Sequence, residues 1–288
     1  MTFGYGRGYG QRRGCNPRLI IALVIALVAI GSYIGKKQIN PVTGEKQYVD
    51  LTVDQEKALG LQAAPQMARQ MGGAIDPRTS PQAKLVADVG QRILENSDAR
   101  NSPYFSNFNF YLLNDPQTIN AFALPGGQIF ITRALYDRMD NTAQLAGVLG
   151  HEIGHVINRH AAEHMAKGSL GSALALAVGV GASDRREGYM TAAAAQMANQ
   201  MVQLRFGRKD ESESDTFGLK YMAQAGFDPR QMLKVMEILR DSSKGGRQAE
   251  MLSTHPLPET RLQEIQEKIR EMYPNGVPAN VTQGDPLR

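Results

Sequence analysis

The hydrophobic and polar positions divide the chain into four stretches. Residues 1–18, MTFGYGRGYGQRRGCNPR, have no apolar period and read as a flexible, positively charged flank. Leu19–Ile34 (LIIALVIALVAIGSYI) is uncharged and is closed by Lys36 and Lys37. With Gly35 the run makes a helix of roughly 25 Å, the short end of what spans a hydrocarbon layer of about 30 Å. From about residue 50 to 272 the pattern is that of one α+β domain, mostly helical. Thr52-Val-Asp-Gln-Glu56 opens a helix with a capping-box arrangement, and Pro81–Glu95 forms a second. Phe108–Leu113 is β-rich, and AFALPGGQIFIT reads as two short strands turned at Pro125-Gly126-Gly127. Asn141, with Gln144 three residues on, starts one long helix through LAGVLGHEIGHVINRHAAEHM. Gly226 and Asp228-Pro229 end one helix and begin another. A last helix covers Glu259–Met272, before an irregular tail over 273–288 rich in Pro, Gly and Asn. The second apolar stretch, 168–183 (GSLGSALALAVGVGAS), is too short and too rich in small residues for a membrane span and is expected to lie buried or mobile beside the site. The Met190, Met197, Met201, Leu204 series has the spacing of a core stripe.

Charge and cysteine content narrow the function. Six bases and no acid lie in residues 1–37, so the remaining 251 residues hold 26 bases against 28 acids. A body without excess positive charge excludes nucleic-acid binding through a cationic face. The one cysteine, Cys15, sits in the N-terminal flank, which rules out an internal disulfide and a Cys-rich zinc site. The arginines precede the apolar run, so the positive-inside rule leaves the N-terminus in the cytoplasm and exports the body. The run is expected to remain as a single-pass anchor. The alternative is a signal sequence cleaved near Ala29-x-Gly31, which frees a periplasmic body.

The chemistry concentrates in His151-Glu152-Ile153-Gly154-His155. Two histidines four apart on a helix share a face and can bind one metal. Glu152 then overhangs the metal's open position as acid/base. A metzincin would need Gly at 158 and His at 161, where this chain has Asn158 and Ala161. The third ligand is therefore sought in Glu211-Ser-Glu-Ser-Asp215. Glu211 and Asp215 share a helix face, and Glu213 points about 200° away from Glu211. Glu211 is the expected ligand, and Asp215 the group that bonds the other nitrogen of a metal histidine. His160-Ala-Ala-Glu163-His164 also fits an inverted zinc motif. On one continuous helix, however, His160 lies about 180° round from His151, so the two sets cannot share a metal.

Four blocks in order, NAFALPGGQIFIT, LAGVLGHEIGHV, RKDESESDTFGL and STHPLPETRL, resemble metallopeptidase family forty-eight over about residues 50–272. The resemblance implies a gluzincin-like fold with a small sheet beside the active-site helix. It implies one zinc ion per chain on His151, His155 and Glu211, with Glu152 as catalytic acid/base. It matches Arg159-His160 to the family's Arg-His pair, against the inverted motif. Gly127, Gln128, Ile129 and Phe130 resemble the start of an active-site edge strand that binds extended peptides. His255 in Thr254-His255-Pro256 is placed at the cleft, either stabilising the oxyanion or taking the metal's fourth position to keep the enzyme latent, with Arg261 anchoring the same loop. The chain lacks the multiple spans of the HtpX-like branch and looks closer to the BepA-like or Oma-type one. The expected activity is a zinc endopeptidase acting on misfolded or membrane-associated polypeptides in envelope quality control. The alternative is a chaperone-like or latent zinc-binding protein.

Overall fold

The computed structural model describes residues 17–182, 205–242, 250–255 and 260–287. Most of the N-terminal flank, Cys15 included, and the Met190–Leu204 series lie outside these residues. The fold is α+β and mostly helical, with one N-terminal apolar helix. That helix, α1 (Pro17–Gly35), has no buried residue and is long and apolar enough to cross a membrane by length and composition. It leads directly into a hairpin of β1 (Lys37–Ile39) and β2 (Lys46–Tyr48).

Local signals set most of the helix starts. In α2 (Val53–Gln70), Thr52 Oγ1 accepts from Gln55 N–H at 3.2 Å and Gln55 Oε1 accepts from Thr52 N–H at 2.9 Å. In α3 (Pro81–Glu95), Ser80 caps Ala83 N–H and proline stands in the first turn. The sheet has strand order β3 (Asn109–Leu113), β5 (Gln128–Thr132), β4 (Ala121–Leu124). The β3–β5 pair is parallel and the β4–β5 pair antiparallel. The β4–β5 turn runs through Gly126 (φ 79°) and Gly127 (φ 107°). A Cβ on Gly126 would stand 2.5 Å from Lys57 Cα, so the turn depends on glycine both for its dihedral and for space. A short α4 (Arg133–Tyr136) follows.

Every residue of α5 (Thr142–Ile157) is buried, which fits a helix that is apolar on nearly all sides. Such a helix has no water to satisfy its ends, so other segments do this. At the N-terminus Asn141 Oδ1 accepts from Gln144 N–H at 3.0 Å, while the backbone of the C-terminal tail takes two more donors: Thr142 N–H to Asp285 O (2.9 Å) and Ala143 N–H to Gln283 O (3.0 Å). The tail is irregular, yet it is held in place by these bonds. At the C-terminus the hairpin after α1 supplies donors: Asn40 Nδ2 to Ile157 O at 2.9 Å, and Gln47 Nε2 to Asn158 O.

The single helix expected from His151 through His164 is in fact two. α5 ends at Ile157, Arg159 takes φ 60°, and α6 (His160–Ala182) begins in a new direction. Arginine pays about 1–2 kcal/mol to sit in this left-handed region, and its buried guanidinium offsets that by binding Glu56 Oε1 (Nε, 2.8 Å), Leu51 O (Nη2, 2.6 Å) and Gln38 Oε1 (Nη1, 3.0 Å). Of the segment 168–183, expected to be buried or mobile, the residues whose side chains are described are not buried. Gly168, Ser169, Gly171, Ser172, Ala175 and Leu176 are exposed, and the helix that carries them packs along α1.

Across α5 lies α7 (Arg208–Gln224), followed after Gly226 (φ 81°) by α8 (Gln231–Ser242). A Cβ on Gly154 would come within 2.9 Å of Ser214 Cα and O, so glycine there lets the two backbones meet. α9 (Met251–Thr254) and α10 (Arg261–Met272) are the last helices among the described residues, before the tail.

Candidate metal centre and cleft

The close α5–α7 contact brings His151 and His155 against Glu211. His151 Nε2 and His155 Nε2 lie 3.1 Å apart. Glu211 places Oε2 3.6 Å from the first and Oε1 3.6 Å from the second. His255, just beyond α9, brings Nδ1 to 3.3 Å from His151 Nε2 and 2.9 Å from Glu211 Oε1. All four side chains are buried, and their ligand atoms fall within 4.8 Å of one another.

These separations fit a cation. Tetrahedral ligands at about 2.0–2.1 Å from a zinc-sized ion stand roughly 3.3 Å apart. Without an ion, imidazole nitrogens meet lone pair to lone pair, and one proton serves only one such contact. Burial and the neighbouring His151, His255 and His160 hold His155 well below its ordinary pKa, in the neutral form a metal requires. Burial raises Glu211, but the charges of His255 and Arg261 outweigh it and keep the carboxyl below its usual range. Glu152 is fully buried beside the cluster. Its Oε1 has no hydrogen-bond partner among the described residues and lies 3.8 Å from His255 Nε2. Burial raises its pKa, against the pull of His255 and His151.

A second layer fixes the two helix histidines. Asp215 Oδ1 lies 2.9 Å from His151 Nδ1 and is held from behind by Arg261 of α10, with Nη2 at 2.8 Å and Nε to Oδ2 at 3.0 Å. Arg261 also pairs with Glu211 Oε2 at 2.6 Å. The break at Arg159 lets His160 turn back, so the half-turn separation expected of a continuous helix does not hold. His160 Nδ1 lies 2.9 Å from His155 Nδ1, and its Nε2 lies 3.1 Å from Glu213 Oε2. With His155 Nε2 facing the cluster, its Nδ1–H donates to His160 and the Nε2–H of His160 donates to Glu213. The inverted motif therefore supplies a support for His155. The ring of Phe206 packs on His155 at 4.1 Å between centroids. Phe206 and the Glu56–Arg159 pairing had no signal in local spacing, whereas His160 was marked by its motif but not as a partner of His155.

The strand assignment needs correction. Gly127, Gln128, Ile129 and Phe130 were expected to open a peptide-binding edge, but β5 is the central strand, paired on both sides and buried throughout. Its backbone groups are already used by β3 and β4. The edge nearest the cluster is β4. Ala123, Leu124 and Pro125 line a narrow cavity with Glu152, His155 and Phe206, of about 10 Å³, room for roughly one water.

Asp210 stands one residue before Glu211 and accepts from His164 Nε2 (2.8 Å) and Gly207 N–H (2.8 Å). Burial raises it, but these bonds outweigh burial and bring its pKa down to about 2. A carboxyl depressed in the folded state stabilises above its unfolded value of about 3.9, and that contribution is lost as pH falls through the folded value. Asp210→Asn should therefore cost on the order of 1–2 kcal/mol at pH 7 and progressively less below pH 4. Urea unfolding at both pH values measures this.

A model of Peptidase family M48 matches residues 80–269, about two thirds of the chain. The chain belongs to peptidase family M48. It is 32% identical over 246 residues to the beta-barrel assembly-enhancing protease of Yersinia pestis, covering 82% of this chain and 48% of that one. It is 29% identical over 271 residues to the protein of the same name in Escherichia coli K12, covering 88% and 53%. Mitochondrial metalloendopeptidase OMA1 of Schizosaccharomyces pombe is 28% identical over 258 residues, covering 85% and 71%. The chain spans about half the length of these bacterial relatives. M48 membership accounts for the four sequence blocks, all of which lie within the matched residues.

Proposed function

We propose that the chain is a zinc-dependent endopeptidase with one ion held by His151, His155 and Glu211. The reading rests on the convergence of these groups beside Glu152, a buried carboxylate with an unbonded oxygen. Two imidazoles and a carboxylate suit zinc, a borderline-soft ion of flexible geometry. When bound, the ion supplies Lewis acidity that makes water a nucleophile near neutral pH and polarises the scissile carbonyl. Glu152 takes a proton from the attacking water and passes it to the leaving amine, a transfer matched to a carboxyl whose pKa is raised. Asp215 and His160 hold the Nδ1 protons of His151 and His155, which fixes both tautomers and aims both Nε2 lone pairs at one point. An extended polypeptide pairs with the β4 edge by main-chain bonds, which makes recognition tolerant of sequence.

The relatives are named as beta-barrel assembly-enhancing proteases and as a mitochondrial metalloendopeptidase. The substrates proposed here are misfolded or membrane-associated polypeptides. α1 anchors the chain in the cell membrane with its body on the exported side; cleavage near Ala29 would instead leave it periplasmic. Removing metal with a chelator should abolish cleavage of unfolded casein, and equimolar zinc should restore it. Cleavage that survives complete metal removal overturns the zinc reading.

The position of His255 favours a second, latent state. Its Nδ1 stands beside His151 and Glu211, where it would fill the fourth coordination position and exclude water. On this reading His255→Ala raises basal turnover and weakens zinc retention. An oxyanion-stabilising role predicts lower turnover with metal content unchanged. If neither turnover nor zinc retention moves, His255 has no part in the site.

A further inference from the structure

Among the described residues, large exposed apolar side chains fall almost wholly on α1, from Leu19 to Ile34, with Leu176 on α6 as one of few others. The two helices belong together. The hairpin that leaves α1 bonds the carbonyls of Ile157 and Asn158, three and two residues before α6 starts. α1 thus enters the body where α6 leaves it, and the helices run back along each other. The half-buried positions form one stripe on each: Ala22, Ile25, Ala26, Ala29 and Tyr33 on α1, and Leu170, Ala173 and Leu174 on α6.

The outer part of α6 is poorly suited to water. From Gly168 to Ala182 it carries no charge, four glycines and no side chain that could form an i,i+4 ion pair. Each glycine costs a helix in water about 1 kcal/mol relative to alanine, and among the described residues α1 is the element that packs most extensively along α6, in place of a core. Lipid reverses these terms. Hydrocarbon forces the backbone to satisfy itself as helix, and small residues let paired membrane helices approach closely. The high Gly, Ala and Ser content that argued against a lone span is what a helix paired with α1 uses. Lys167, the last charge before this stretch, sits where α6 leaves the body, a level at which lysine reaches the polar interface. The uncharged segment is roughly 22 Å long against about 28 Å for α1.

We infer that Gly168–Ala182 lies in the lipid hydrocarbon beside α1, so that α1 and α6 form a two-helix membrane element. This rests on the anchor reading of α1. It holds the HExxH helix, continuous with α6 through the Arg159 turn, against the bilayer surface, and so favours polypeptides at or emerging from the membrane as substrates.

The test uses the full chain with Cys15→Ser and single cysteines at Val24, Leu176 or Ala175, with Leu61 of α2 as the water-exposed reference. Each carries an environment-sensitive fluorophore in phosphatidylethanolamine–phosphatidylglycerol vesicles. Labels at 24, 175 and 176 should lose most emission to nitroxide on the acyl chains and little to iodide, with 61 behaving in reverse. If 24 is quenched from lipid while 175 and 176 are quenched by iodide like 61, the inference is wrong and the anchor stands. Quenching of 24 by iodide removes both. Labels at 175 and 176 shielded from both quenchers, with cross-linking between chains, would mean a second copy covers α6, which also overturns it.

Discussion

Glu152→Gln should lower kcat/KM on an unfolded protein substrate by about 10²–10⁴-fold, the range for loss of a positioned acid/base, while bound metal stays at the wild-type level. Glutamine keeps the shape of the side chain but can neither accept the proton of water nor carry it to the amine. The metal should be unaffected because Glu152 lies outside the ligand set, with its nearer oxygen 3.8 Å from His255 Nε2. Stability should hold or rise slightly. Burial already disfavours the charged form of Glu152, and a neutral amide in the same place avoids that cost. The assay pairs proteolysis with metal analysis and thermal unfolding on the same preparations. Equal turnover in variant and wild type would leave a metal-binding protein whose carboxylate has no chemical role. Loss of both activity and metal would mean that Glu152 helps to hold the ion.

What could be read in the sequence was mainly local. The Thr52–Gln55 capping box, the Ser80-Pro81 start and the Asn141 cap are signals that act within one turn, and each starts the helix it predicts. The i,i+4 spacing placed His151 with His155 and Glu211 with Asp215 on shared faces for the same reason. Gln144, three residues after the Asn141 cap, does not complete a capping box there. Its side chain accepts from Asp140 N–H at 2.9 Å instead of from the cap residue.

The errors come from partners distant in sequence. Nothing in Asn158-Arg159-His160 forbids helix, and the break depends on Glu56, 103 residues earlier, which also accepts from Tyr104 Oη at 2.8 Å. That one turn redirects His160 from the far side of a helix to the ring of His155. The strand error had an available signal. QIFIT lacks the in–out alternation of an exposed edge, and a short unbroken β-rich run is what a central strand buried on both faces looks like. Strand order in a sheet with a parallel pair is otherwise a topological property that composition does not encode. The outer part of α6 failed for a related reason: its small residues make sense only beside a second helix, and pairing with α1 is a contact between segments more than 130 residues apart.

Arg261→Leu should be the most destabilising single change near the site, by about 3–5 kcal/mol. Its side chain is 3% exposed and ties α10 to α7 through two bonds to Asp215 and an ion pair to Glu211. Leucine fills much of the space but leaves the carboxylate of Asp215 buried with His151 as its remaining side-chain partner among the described residues. At roughly 2–4 °C per kcal/mol for a chain of this size, the melting temperature should fall by about 10 °C. The pH dependence separates charge from packing. Burial pushes Asp215 up, yet Arg261, first among its partners, and His151 hold its pKa far below the ordinary range. A depressed carboxyl stabilises the fold above its unfolded pKa of about 3.9, and this is lost as pH falls through the folded value. Without the guanidinium most of the depression goes. The gap between wild type and variant should be widest near neutral pH and narrow below about pH 4, where the unfolded chain also protonates. A gap independent of pH would mean that Arg261 acts by packing alone. Adding Asp215→Asn to the leucine variant should recover part of the loss, because it removes the charge left without its partner. If the second change instead deepens the loss by its full single-mutant amount, Asp215 and Arg261 act separately, and the view of this pair as the support that positions His151 fails.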